Sequence, residues 1–353
     1  MPIEPGLDAA LDDALQLARL GDAAATRQRI ESIRREFNVH RAPQATLQLM
    51  LAEGIMLAYD GDLDGARDRM RRALALCALA TEPRHAALAH AWTAFLDYSD
   101  GHHDQVAEHA IEAMRLGQGV SRPACARAAS LIGMLHNACG ACERASAWFG
   151  LARRLASADQ DGAMTSAIIF NMAASRFAAA RVRQVGEGEP AVVDGADLLF
   201  LQSSRNYDDG RRLDVQGYLH RMLQGFALAA TGEHSQALDC LSLFGTEAVP
   251  AVWRDDALIA AERAWCALKA GDETAARVLA DHAERHVESL TEAGERLIAC
   301  QRLQALAAAL GDRARAERHA TLAAQALRQH RDFQARMRQR LEGLDADPEA
   351  LAW

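Results

Sequence analysis

A glycine returns along this chain every 39 or 40 residues: Gly21, Gly61, Gly101 and Gly140 in the first half, then Gly232, Gly271 and Gly311 in the second. Three prolines, Pro43, Pro83 and Pro123, keep the same step and stand 17 or 18 residues before a glycine. A period of this length marks a repeat architecture, in which one small unit stacks on copies of itself. Around each glycine the local pattern is constant. A small residue lies seven positions before it, at Ala14, Gly54, Ala94, Gly133, Gly225 and Ala264. Another small or short apolar residue lies five after it, at Ala66, Val106, Ala145, Ala237, Ala276 and Ala316. Further apolar positions follow at nine and twelve, as in Met70 with Ala73, Phe149 with Ala152, and Ala280 with Ala283. Steps of 5, 9 and 12 keep to one face of a helix that begins just past the glycine.

The prolines suit the start of the preceding helix, where a missing N–H costs nothing and φ is already helical. Thr81 and Ser121, two residues before Pro83 and Pro123, read as N-caps. Each unit is then a helix A, a Gly-Asp-type turn and a helix B. Small residues where A crosses B let the two backbones approach closely. Aromatic residues make up only 5% of the chain and Ala about a fifth, a composition that favours helix over strand. The fold class expected is all-α.

The spacing of small residue, glycine, alanine and apolar positions resembles the tetratricopeptide-repeat family, over residues 5 to 326. It departs from that family's consensus in its 40-residue period and in carrying Ala, Leu or Met where large aromatics stand. Repeats of this longer type are similar to those in bacterial regulatory proteins, including peptide-pheromone receptors and the sensor regions of transcription activators and diguanylate cyclases. The resemblance implies a right-handed α-solenoid of about eight helix pairs that binds through a concave face built from its A helices.

From Gly140 to Gly232 the step is 92 residues, about a dozen too many for two units. Register places helix A of the fifth unit at Thr165 to Ala180 and its helix B around Ala196, Phe200 and Ser203. That leaves Arg181 to Gly195, with three glycines and a proline, as an insertion loop. After Ala326, Phe333, Met337 and Leu341 form an apolar stripe against an Arg-rich face, which reads as a capping helix over the last pair. The expected division is residues 1–326 as the repeat region, with the insertion at 181–195, and 327–353 as cap and tail.

A formal net charge of −9 disfavours a nucleic-acid or anionic-membrane partner. The longest apolar run, Ala73 to Ala80, is far short of a membrane span, and the acidic N-terminus does not read as a signal peptide. Seven cysteines without a secretion signal read as reduced thiols in the cytoplasm. His136, Cys139 and Cys142 make an H-x2-C-x2-C run one repeat after His102 and His103, but a zinc site needs about four convergent ligands and no second C-x-x-C is present. They read as turn and helix residues. The DGDLDG run from Asp60 to Gly65 lacks a twelfth-position Glu and so is not a calcium loop. No phosphate loop, G-x-S-x-G or H-E-x-x-H motif is present. No catalysis, metal or cofactor is expected.

Carried along the A helices, the register places Tyr59, Phe95, Tyr98, Arg127, Ser130, Met134 and Asn137 on one face, with Phe170, Asn171, Phe177, Met222, Phe226 and Trp265 continuing it. Aromatic and Met anchors beside a few polar groups suit a peptide or protein segment. Arg127 with Asn137 and Asn171 offers charge-assisted hydrogen bonds to a carboxylate. The Lys-and-Asn carboxylate clamp of the tetratricopeptide-repeat family is not reproduced. The function expected is a non-catalytic, protein- or peptide-binding module in bacterial regulation or signalling. The alternative is a sensor region for a small molecule or peptide whose output domain lies outside this chain. The sequence leaves the oligomeric state open.

Overall fold

Each glycine of the series ends one helix and starts the next. At Gly61 the N–H donates to the Ala58 carbonyl, and the N–H of Asp62 reaches back to the Leu57 carbonyl. This pair of bonds satisfies the last carbonyls of the helix and requires a left-handed residue between them, which glycine supplies without steric cost. Gly61 has φ 82°, and the six other glycines of the series lie between 73° and 91°. Where an Asp follows the glycine, it caps the next helix; His102, Ala141 and Glu233 take the same position without a side-chain cap. Asp22, Asp62, Asp272 and Asp312 each accept, through the side chain, the N–H three residues on. One Gly-Asp dipeptide thus closes helix A and opens helix B.

The computed structural model describes residues 6–39, 42–80, 82–187, 195–211, 217–246, 256–342 and 348. The helices are α1 Leu7–Arg19, α2 Ala23–Glu36, α3 Pro43–Asp60, α4 Leu63–Ala80, α5 Pro83–Ser99, α6 His103–Gly117, α7 Arg122–Ala138 and α8 Cys142–Ala158. They continue as α9 Gly162–Glu187, α10 Gly195–Arg211, α11 Gly217–Thr231, α12 His234–Leu241, α13 Ala257–Lys269, α14 Glu273–His286, α15 Ala293–Ala309 and α16 Arg313–Glu342. These form eight consecutive A–B pairs, as the register requires, and no strand occurs among the described residues. Pro43 and Pro83 open α3 and α5. The cap position of α5 is Glu82, so Thr81 stands one residue outside it and lies outside the described residues.

The small positions lie where A meets B. Ala14, Ala94 and Ala264 are fully buried, as are Ala66, Val106, Ala237 and Ala276 on the facing helices. A Cβ added at Gly133 would meet the Phe149 ring at 3.1 Å, and one at Gly225 would meet Leu241 Cγ at 2.6 Å.

Three expectations are corrected. First, Arg181–Glu187 are not loop but the last two turns of α9, which has 26 residues against 17 in α5 and α7. The glycines there mislead because Gly186 sits inside the helix, close to Leu327. Residues 188–194 lie outside the described residues, and Gly195 opens α10. Second, no separate cap begins at 327. The eighth B helix, α16, runs unbroken for 30 residues, burying Met337 and Leu341 as its stripe predicts. Third, the chain divides into two compact units rather than one repeat domain and a tail. The first is Met1–His136, Ala141–Ile168 and Arg340–Trp353; the second is Asn137–Gly140 and Ile169–Gln339.

Candidate functional site

In the first unit the A helices α3, α5 and α7 bring a chain of rings together. Tyr59 and Trp92 meet edge to face with centroids 5.4 Å apart, and Trp92 meets Phe95 in the same way at 5.5 Å. The Arg127 guanidinium lies over Trp92, 3.6 Å from the ring centroid, and 5.4 Å from that of Phe95. Trp92 is buried, while Tyr59, Phe95, Tyr98 and Arg127 are half-buried. Among the described residues no carboxylate pairs with Arg127. A cation held flat on an aromatic ring, with its N–H edges unspent, is placed to receive an anion.

Tyr59 also donates its hydroxyl to the Arg19 carbonyl at 3.3 Å, and Tyr98 lies edge-on to His103 at 5.6 Å. Ser130 and Met134 are buried in α7 and so line no surface. Asn137, buried and counted with the second unit, donates to Ser175 Oγ at 2.8 Å. It stands ten residues from Arg127 on the same helix, roughly 15 Å along the axis at the helical rise. Trp92, the platform for Arg127, escapes the sequence register because it falls between the positions assigned to the exposed face. Its signal was being the one tryptophan beside a cluster of A-helix aromatics.

In the second unit the corresponding face is built around charge. Glu262 of α13 is fully buried and accepts from Arg181 of α9, itself buried. Arg302 Nε of α15 donates to both Glu262 oxygens, at 3.0 and 3.1 Å. Arg181 lies 4.6 Å from the Phe226 ring centroid and 5.8 Å from that of Phe177. Trp265 receives Lys269 Nζ at 4.5 Å and Arg302 at 5.5 Å. Burial pushes the Arg181 guanidinium below its ordinary range, opposed by the charge of Glu262. Burial, together with Glu292 and Asp256 nearby, pushes the carboxyl of Glu295 well above the usual carboxylate range. Phe170, Phe177 and Phe226 are buried among this unit's core; Asn171, Met222 and Trp265 remain half-buried.

The H-x2-C-x2-C run forms no cluster. His136 is buried, and burial with Arg144 nearby lowers it to about 4; the buried Cys139 thiol is pushed up to about 11, while Cys142 is exposed. Among the described residues no group of three His, Cys, Asp or Glu is arranged to hold a metal ion. Likewise, no described helix is long and apolar enough to cross a membrane.

No protein-family profile matches the chain, and no curated protein matches it in sequence. Among solved structures it is similar to a Rap protein complexed with Competence and Sporulation Factor, at 11% identity and a TM-score of 0.53, covering 96% of this chain and all of that one. What they share is the fold. The apo form of the quorum sensor NprR from B. thuringiensis also matches, at 12% identity and a TM-score of 0.49, over 98% of this chain and 100% of that chain. The chain is thus an all-α helical-repeat protein that shares the fold of that Rap protein, with the helix pairs its glycine register implies.

Proposed function

We propose that the chain is a non-catalytic regulatory module of the bacterial cytoplasm that binds a peptide or protein segment on its A-helix faces. The observation that carries this reading is Arg127: a half-buried cation stacked on Trp92 and close to Phe95, with no carboxylate partner among the described residues. Aromatic and Arg anchors are where binding energy concentrates. The Rap protein of the same fold holds a bound factor, which supports the reading by analogy of architecture alone. The acidic balance of the chain fits this better than a nucleic-acid partner.

The partner is to be isolated by affinity capture with the whole chain, and its binding segment synthesised and titrated by fluorescence anisotropy. Replacing Arg127 and Tyr98 together by Ala is expected to weaken that affinity about tenfold or more, since each anchor is worth roughly 2 kcal/mol. Unchanged affinity in the double variant overturns the assignment of this face.

A further inference from the structure

The last two turns of α9 reach from the fifth pair across the A helices of the sixth, seventh and eighth. Arg181 stacks on Phe226 of α11 and pairs with Glu262 of α13. Val182 lies against Gly294 of α15, where a Cβ would stand 3.1 Å from Val182 Cγ2. Gln301 of α15 donates through Nε2 to the Val185 carbonyl at 3.3 Å. At Gly186 the relation is reversed, since a Cβ there would lie 2.9 Å from Leu327 Cδ1 of α16. All of these residues belong to the second unit.

This is the anatomy of a bound segment: one desolvated charged anchor, a side chain seated in a glycine notch, and a glycine that lets the far wall approach. Arg181 and Glu262 are buried, whereas Val182 to Gly186 are only half-buried, as a strip lying on a face would be. A buried ion pair adds little net stability over apolar packing, but it penalises any segment that lacks the matching charge. It therefore selects which segment lies there. Arg302 bonds both oxygens of Glu262, so the carboxylate keeps a cation when Arg181 leaves.

We propose that Arg181–Glu187 is a resident intramolecular ligand of this face, and that the partner segment here is a short apolar-basic helix that displaces it by placing its own arginine on Glu262. This rests on reading the A-helix faces as binding surfaces, and it concerns a face other than the one carrying Arg127.

The probe is a fluorescein-labelled peptide of residues 177–187, titrated into the full chain. The Arg181→Ala chain, whose anchor position is vacated, is expected to bind it at least about tenfold more tightly than the wild type. The same peptide with its own Arg181→Ala change is expected to lose that gain. An Arg181→Ala chain that keeps its helix content by circular dichroism but binds no more tightly than wild type overturns the proposal. Should that variant fail to fold, hydrogen exchange on the wild type decides. Amides of residues 182–187 exchanging about tenfold or more faster than those of α13 support a displaceable segment. Exchange at the α13 rate makes it a fixed core element and overturns the proposal. A failure of the Arg127 face leaves each of these readouts unchanged, so the two readings fail separately.

Discussion

Arg127 of α7 covers the ring of Trp92 on α5, its guanidinium carbon 3.6 Å from the ring centroid, although the two residues are 35 positions apart in sequence. That stack ties two successive repeats together through a side chain that makes no ion pair among the described residues. Arg127→Ala is therefore expected to lower stability by only about 1 kcal/mol, the worth of one partly exposed cation–π contact. It also uncovers an indole that is now 1% exposed, so the tryptophan emission should shift to the red. A fall in melting temperature beyond ten degrees, measured by circular dichroism, would show that Arg127 supports the core instead.

The crossing glycines make a graded test of packing. At Gly133 an added methyl meets the Phe149 ring at 3.1 Å, whereas at Gly225 it meets Leu241 at 2.6 Å. Glycine to alanine in a helix gains about 1 kcal/mol of propensity, and overpacking costs about 1–3 kcal/mol. Gly133→Ala should come out near neutral and Gly225→Ala clearly destabilising. Gly133→Leu should cost about 1–3 kcal/mol, with Ala141→Leu in the adjacent turn costing much less. Thermal melts on the four variants check the order.

Acid should weaken the fold through two histidines. His90, half-buried beside His109, and His136, buried near Arg144, are each lowered by desolvation to about 4 from an ordinary value near 6.5. The unfolded chain binds these protons more readily than the folded one. Stability is therefore full above pH 6.5 and is lost as pH falls from there towards 4. Denaturant midpoints measured between pH 7 and pH 4.5 should fall, and His136→Gln should flatten the decline. An equal slope in that variant would remove His136 from the account.

Thiol reactivity should separate one cysteine from six. Cys142 is exposed, while Cys77, Cys125, Cys139, Cys240, Cys266 and Cys300 are buried. Burial pushes Cys125 and Cys266 up to about 12 and Cys300 to about 11, so their thiolates are scarce at neutral pH. Brief iodoacetamide treatment followed by peptide mass spectrometry should label Cys142 alone in the native chain and all seven after denaturation.

The repeats were legible because their signals are local and obligatory. A left-handed joint needs glycine, a helix start needs its cap, and a close crossing needs a missing side chain, so Gly61, Asp62 and Gly54 each declare themselves in the sequence. The face was less legible. Helical periodicity separates inward from outward on one helix, but whether Met134, Phe177 or Phe226 ends buried depends on what neighbouring helices bring against them. The tail of α9 was missed for a sharper reason. Arg181 and Gly186 argue for a loop by composition, and only Glu262 and Leu327, 81 and 141 residues away, make a helix worth forming there.

The Gly-Asp joints leave no slack. Each contributes one left-handed residue and one cap, with the next helix already under way. A single residue gained or lost there would rotate the whole following helix by about 100°, turning its buried alanines to solvent and its charged side into the core. Changes of side chain can therefore accumulate along these helices while changes of length at the joints cannot. Four of the eight pairs are locked in this way, at Gly21, Gly61, Gly271 and Gly311.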